Sequence, residues 1–163
     1  MEALHKQILD ILMKNCRTPL ETIAVMTNTT VESVADAISD MEKQQIILHY
    51  LPVINWERTE NDRVEAMIEV RVTPQRDMGF DAVAKRIYQF EEVKSVYLMS
   101  GSYDLLVLVE APSLKELAHF VSEKLSPIEA VTGTQTSFVL KRYKQDGITF
   151  VGVDEDKRMA VSP

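Results

Sequence analysis

The first fifty residues contain three runs of helical periodicity separated by short polar breaks. Apolar residues spaced by three and four predict a helix over residues 2–14, and Pro19 opens a short second helix. A third helix follows, with Thr29 and Glu32 at the spacing of a capping box and Thr30 as an equally suitable N-cap. An extended stretch rich in β-branched residues comes next. Three helices and a strand predict a winged helix-turn-helix, although the same order also fits a three-helix cap that contacts no DNA.

The second half of the chain has the pattern of a domain that mixes strands and helices. One segment, 64–72, alternates between apolar and polar residues as a half-buried strand does, three others have the composition of strands, and two carry one apolar helical face. The predicted elements are a strand at 64–72, a helix at 80–90, strands at 93–99 and 103–110, a helix at 112–125 and a strand at 133–142. The order βαββαβ is that of a ferredoxin-like sandwich, so we expect an α+β fold.

These patterns divide the chain into four predicted parts. They are a winged helix-turn-helix at 1–49, a linker strand or hinge at 50–63, a ferredoxin-like domain at 64–144 and a C-terminal arm or tail at 145–163. Two helices cover only one face of the predicted sheet, yet its strands carry more apolar residues than one face can hold, namely Ile68, Val70, Val72, Leu106 and Leu108. Packing of the second face against another copy would bury the remainder, so we expect a homodimer.

Composition limits the cellular compartments and the kinds of chemistry that fit this chain. The single cysteine, Cys16, and three scattered histidines exclude an internal disulfide and a conventional zinc cluster, and they fit a reducing cytosol. The N-terminus lacks a signal-peptide pattern, and no apolar stretch is long enough to cross a bilayer. No phosphate-binding loop or nucleophile motif is present. We therefore expect a cytoplasmic protein with no membrane contact, no cofactor, no bound metal and no enzymatic activity.

Three stretches occur in a characteristic order: the N-terminal pattern from His5 to Ile47, the hairpin sequence LMSGSYDLLV at 98–107, and the segment VTGTQT at 131–136. In this combination they resemble the Lrp/AsnC family of feast/famine transcriptional regulators, over about residues 4 to 144. The resemblance implies an effector-responsive regulator that binds double-stranded DNA. It also implies a homodimer, built through the C-terminal sheets, that assembles further into a tetramer or an octamer.

The resemblance places a small effector, commonly an amino acid, between dimers and against the glycine-containing hairpin. The effector-binding residues that it implies are Ser100, Gly101, Ser102, Tyr103, Asp104, Thr134 and Thr136. Backbone N–H groups around Gly101 suit a carboxylate, Asp104 suits an ammonium group, and the threonines offer hydroxyls. The alternative is that the glycine only closes a hairpin and that Asp104 is solvated.

The resemblance assigns DNA contacts to the start and the exposed side of the third helix. The residues implied are Asn28, Thr29, Thr30, Glu32, Ser33, Ala37, Ser39, Asp40 and Lys43. DNA-binding family members usually carry arginines along this helix, and this chain does not. Residues 1–57 hold eight acids and four bases, a net charge of −4 within a chain of charge −7. Acidic side chains repel phosphates, so this helix departs from the family pattern.

Two interpretations fit the acidic helix. Several weak DNA-binding heads in one oligomer can add up to useful affinity. Alternatively, the chain is a metabolite-sensing co-regulator that has lost autonomous DNA binding. An enzyme resembling sirohaem decarboxylases is less favoured, because it needs several Arg or His side chains around the acidic tetrapyrrole and residues 45–60 contain only His49 and Arg58.

Overall fold

The computed structural model describes residues 3–60, 63–73 and 79–150 and separates the chain into two units, Met1–Pro52 and Val53–Pro163. The division falls inside the predicted linker at 50–63. Each unit has its own hydrophobic core.

The N-terminal unit contains the three predicted helices. They are α1 (Ala3–Lys14), α2 (Leu20–Thr27) and α3 (Val31–Lys43). Each contributes buried apolar residues at helical spacing to one core, made of Ile8, Ile23, Ala24, Val34, Ala37 and Met41. The helices therefore hold each other through their apolar faces and leave their polar faces outside.

The helix ends explain the turn between α2 and α3. Thr30 is the N-cap of α3, since its side chain accepts a hydrogen bond from the Ser33 N–H at 3.2 Å, and this decides between the two predicted caps. Asn28 ends α2 with a φ of 52°, a left-handed conformation that asparagine tolerates better than most residues. Pro19 is the N-cap of α2, so the helix begins at Leu20, one residue later than predicted.

The predicted linker strand is wrong for this structure. Residues 48–55 form no secondary structure, and the only regular element between α3 and residue 60 is a 3-10 turn, Trp56–Arg58. A strand needs a neighbouring strand for its hydrogen bonds, and none pairs with this segment within the part of the chain that the structure describes. Its apolar side chains, such as Leu48 and Leu51, are consequently exposed.

The C-terminal unit is built on a four-stranded antiparallel sheet covered by helices. Its elements are β1 (Val64–Val72), α4 (Phe80–Tyr88), β2 (Val93–Leu98), β3 (Leu105–Ala111), α5 (Leu114–His119), a π-helical turn (Phe120–Leu125) and β4 (Val131–Phe138). The strand order is β2-β3-β1-β4, so β1 is central and β4 is an edge. This order confirms the predicted ferredoxin-like arrangement and the α+β fold class.

Alternation along the two central strands creates the core. Alternate residues of β1 and β3 are buried on one face and packed with residues of α4, α5 and the π-helical turn, the largest being Phe120. The register places Ile68 opposite Val107 and Val70 opposite Leu105, so the buried side chains form continuous rows.

The opposite face of the sheet carries an apolar stripe that its own helices do not cover. Met67 and Tyr97 are 42% and 51% exposed, and Leu106 and Leu108 are half-buried. The register places Met67 beside Leu108 and Tyr97 beside Leu106. We call this set the open-face stripe. It confirms that the apolar residues of the strands do not all point to one side.

A short hairpin follows the sheet. Its strands are β5 (Lys144–Gln145) and β6 (Ile148–Thr149), joined through Asp146 and Gly147, both of which have positive φ. Such an Asp-Gly pair favours the tight turn of a two-residue hairpin. The predicted arm thus begins with a hairpin, and its residues 151–163 lie outside the described part of the chain.

Candidate DNA-binding helix and effector site

The accessible face of α3 has a polarised charge. Glu32, Asp36, Ser39 and Lys43 follow one another at intervals of three or four residues, and each is exposed or half-buried. The two acids lie in the first half of the helix and the lysine in its last turn. A phosphate backbone approaching the start of this face would therefore meet negative charge.

Several predicted DNA contacts already form hydrogen bonds within the unit. The hydroxyls of Thr30 and Ser33 lie 2.9 Å apart, and the Asp40 carboxylate accepts a bond of 2.6 Å from the Gln44 side chain. Asn28 is exposed in the turn, and Thr29 beside it is half-buried. These side chains line the turn and the neighbouring surface of α3.

Ala37 is the predicted DNA contact that the structure contradicts. It is only 7% exposed and belongs to the core between the three helices. Its methyl group has no free surface with which to contact a base. Asp36, one residue earlier, occupies the outward position that sequence reasoning had given to Ala37.

Tyr50 connects the segment that follows α3 to the last turn of that helix. Its hydroxyl donates a hydrogen bond of 2.9 Å to Glu42 Oε1. Burial, this hydrogen bond and the negative charge of Glu42 raise the pKa of Tyr50 to about 12. The phenol therefore stays neutral at physiological pH and holds the chain against α3.

The predicted effector hairpin ends in a six-residue loop, residues 99–104, which is longer than the three residues left between the predicted strands 93–99 and 103–110. The loop is closed by a bond of 2.8 Å from the Met99 N–H to the Asp104 carbonyl. Ser100, Gly101 and Ser102 are exposed, and Tyr103 is half-buried. The loop offers hydroxyl and backbone polar groups to the surroundings.

Asp104 anchors this loop to the end of β1. Its Oδ2 accepts a bond of 2.7 Å from the Val72 N–H, and its own N–H donates to the Val70 carbonyl at 3.0 Å. The carboxylate thus takes the place of a strand partner for Val72, directly beyond the last pair of β1 with β3, Val70 with Leu105. Asp104 therefore has a structural function beside the ligand contact that the sequence implied.

The two threonines lie on the edge strand beside β1. Thr134 is opposite Val70 and Thr136 is opposite Ile68, so both stand in rows of the helix-covered face, where they are half-buried. Leu105, the first residue after the loop, also lies opposite Val70. The structure thus brings Thr134 to the same end of the sheet as the loop, with Thr136 one row further away.

Two glycines at this end face open space. A Cβ added to Gly101 or to Gly133 would meet no atom within 4 Å, and neither residue has a positive φ. The protein's own packing therefore does not require glycine at either position. Arg71 lies directly opposite Gly133 and is exposed. Sequence reasoning missed this arginine, because its only signal was a polar position in an alternating strand.

The other end of the sheet contains a cavity of about 360 Å³ between the start of β1, the end of β3 and α5. Lys124 and Glu92 form an ion pair in its wall. Burial by itself would raise the pKa of Glu92, but the hydrogen bond and charge of Lys124 outweigh it and leave the pKa below its usual value. None of the predicted effector residues lies in this wall.

Comparison with known proteins identifies the family. Residues 65–149 match the model of the Lrp/AsnC ligand binding domain. The HTH-type transcriptional regulator YugG of Bacillus subtilis is 49% identical over 158 residues, which cover 96% of this chain and 95% of that protein. The chain belongs to the Lrp/AsnC family.

Solved structures agree with this Lrp/AsnC fold. E. coli AsnC aligns with a TM-score of 0.69 at 22% identity, covering 89% of this chain and 95% of that one. The NMB0573/L-Met complex from Neisseria meningitidis aligns with a TM-score of 0.72 at 22% identity, covering 89% and 93%. At these identities the likeness concerns the fold.

Membership of the Lrp/AsnC family confirms the prediction of a helix-turn-helix transcriptional regulator. The relatives are named as regulators, which confirms that the chain is not an enzyme and sets aside the sirohaem alternative. Among the described residues, no helix has the length and apolar character needed to cross a membrane. The same residues contain no group of three or more His, Cys, Asp or Glu side chains arranged to hold a metal ion.

The contact between Tyr50 and Glu42 predicts a measurable titration. Because the folded pKa of about 12 exceeds the ordinary value of 10.0, the stabilisation is complete below pH 10 and is lost as the pH rises towards 12. We expect Glu42→Gln to lower the pKa of Tyr50 by removing the charged acceptor. Absorbance titration at the phenolate band, with Tyr50→Phe to identify the signal among five tyrosines, measures it. An unchanged titration in the Glu42→Gln protein would show that the contact does not form.

Proposed function

We propose that this Lrp/AsnC regulator binds double-stranded DNA through the turn and outward face of α2 and α3, and responds to an amino acid at the 99–104 loop. The observation that carries the proposal is the two-unit architecture, in which a helix-turn-helix precedes a ligand-binding domain of this family. A regulator must reach the chromosome, so the proposal includes a cytoplasmic location.

The charge of α3 shapes the proposed DNA binding. Lys43 is the only cation on its outward face, and Lys14 and Arg17 are exposed elsewhere in the unit. Few phosphates can be neutralised by one such head, so its intrinsic affinity is low. Two or more heads joined in one oligomer bind more tightly, because the second binding event becomes intramolecular.

The open-face stripe supplies the proposed dimer contact. Met67, Tyr97, Leu106 and Leu108 form an apolar area on the sheet face opposite α4 and α5. Face-to-face packing of two such sheets would remove this area from water and give a two-fold symmetric pair. Further assembly into a tetramer or an octamer would bring the 99–104 loops of neighbouring dimers together.

The effector site is proposed at the loop end of the sheet. The exposed Ser100, Gly101 and Ser102 and the neighbouring Thr134 offer hydroxyls and backbone groups. The open space beside Gly101 admits a ligand or a second backbone. The bound L-Met in the Neisseria meningitidis relative supports an amino acid as the class of ligand.

DNA binding is tested with a labelled duplex from the chain's own upstream region, titrated by fluorescence anisotropy at low and moderate salt. We expect binding above that of non-specific competitor, with a steep salt dependence. Lys43→Ala should weaken it several-fold and reduce the salt slope by about one per bound head. Lys85→Ala, which removes an equal charge from α4 in the other unit, is the matched control. No binding above competitor would favour the co-regulator interpretation.

Dimerisation is tested by sedimentation at micromolar concentration. The wild-type protein should sediment as at least twice its 18.5 kDa chain mass. Leu108→Glu should dissociate it, because a carboxylate in the open-face stripe would lose its water on pairing. Leu114→Glu, the same change at an exposed position of α5, should leave the mass unchanged. A wild-type protein that stays a single chain would overturn the proposed dimer.

Effector binding is tested by thermal shift against the twenty amino acids, followed by calorimetry. A true effector at a hundredfold excess over its Kd stabilises the protein by about 2.7 kcal/mol. Gly101→Trp should abolish this shift by filling the open space, and its own chain offers no clash. Gly101→Ala adds only a methyl group and should retain binding. Equal effector affinity in the Gly101→Trp protein would exclude the loop as the site.

A further inference from the structure

We propose that Arg71 binds the α-carboxylate of the effector and thereby selects ligands with a free carboxyl group. The inference rests on the proposed amino-acid effector and adds a residue that neither the sequence pattern nor the family resemblance suggested. Arg71 is the penultimate residue of β1, at the loop end of the sheet.

Strand register brings three chemically different positions side by side at this point. Gly133 of β4 lies directly opposite Arg71. On the other side, Asp104 brackets Arg71, because its N–H bonds the Val70 carbonyl and its carboxylate accepts from the Val72 N–H. Arg71 therefore stands between an acidic side chain that is held in place and a position that has no side chain.

The Arg71 side chain has open space beside it, and its charge forms no ion pair among the described residues. It is exposed in the single chain, at the loop end of the same sheet face as the open-face stripe, and the open space at Gly133 leaves room beside it. Within residues 3–60, 63–73 and 79–150, Arg71 forms no salt bridge. Two other arginines of this unit do form one, Arg63 with Glu110 and Arg142 with Glu65. Among the described residues, Arg71 thus differs from Arg63 and Arg142 in forming no ion pair.

The two acids nearest to Arg71 in the described part of β1 and the loop form no ion pair with this guanidinium. Asp104 lies alongside it, but the Oδ2 atom is committed to the Val72 N–H. Glu69, two residues earlier in β1 and on the same face of the sheet, forms no ion pair with it either. The cation and the carboxylate of Asp104 are therefore both present at one end of the sheet without being paired to each other.

This juxtaposition matches the two charges of a free amino acid. The guanidinium can hold a carboxylate through two parallel hydrogen bonds, and Asp104 with the loop carbonyls can accept from the ammonium group. The effector residues implied by the family resemblance include an acid and several hydroxyls but no cation. Arg71 supplies the missing charge, so a ligand that lacks the carboxylate should bind poorly.

The test uses the full-length protein and the amino acid that gives the largest thermal shift in the panel of twenty. Calorimetry compares that amino acid with its α-carboxamide, which keeps the side chain and the ammonium group. The wild-type protein should bind the carboxamide at least tenfold more weakly. Arg71→Gln should weaken binding of the amino acid at least tenfold and bind both compounds about equally. Arg71→Lys should retain part of the preference.

Controls separate this inference from the function on which it rests. Arg86→Gln removes an equal charge from an exposed position of α4 and should bind like the wild type. Melting curves without ligand verify that the variants fold. If the wild type binds no amino acid, both the proposed effector function and the inference fail. If the wild type binds one and Arg71→Gln keeps its affinity and its preference, the inference alone is overturned.

Discussion

One-sided burial of the central strand β1 organises the C-terminal unit. β1 is hydrogen-bonded on both edges, and its side chains alternate between a helix-covered core and an open face. Because the side-chain period is two, a slip of one residue would exchange Ile68 for Met67 in the core. The pairing with β3 and β4 therefore determines which side chains of β1 face the core and which face outward, in addition to stabilising the sheet. The register that buries Val70 also places Arg71 between Gly133 and Asp104, so packing and the proposed ligand contact have the same origin.

Local periodicity was enough to predict most elements, because it reports which residues are buried. Strand β1 was predicted with the bounds that the structure has, and the helical face from Phe80 to Ile87 is the one that packs on the sheet. The strand predicted after α3 failed for a different reason. β-branched composition shows only that a segment suits a sheet, and a strand exists only where a neighbour accepts its hydrogen bonds. Sequence periodicity contains no information about that neighbour.

The sequence predicts the location of the candidate site better than it predicts which side chains form it. The loop around Gly101 is visible in the sequence, and it lies at a sheet end together with Thr134. The family pattern placed Ala37 on the DNA side, but packing among three helices decides which residue faces outward, and Ala37 is in the core. Arg71 could not be recognised at all, since its neighbours Gly133 and Asp104 come from another strand and from the 99–104 loop and become adjacent only through long-range pairing.

The acidic start of α3 has a consequence for how such a regulator searches a chromosome. A genome offers on the order of a million or more competing stretches of duplex, and non-specific attraction to them comes almost entirely from charge. In the DNA-binding mode proposed above, Glu32 and Asp36 on the outward face of α3 weaken this background attraction at every position alike. Less of the protein is then sequestered on unrelated sequence. A small number of protein molecules could therefore keep a few true targets occupied. Discrimination between sequences would then depend on DNA shape and hydrogen bonding and not on strong electrostatic attraction to phosphates.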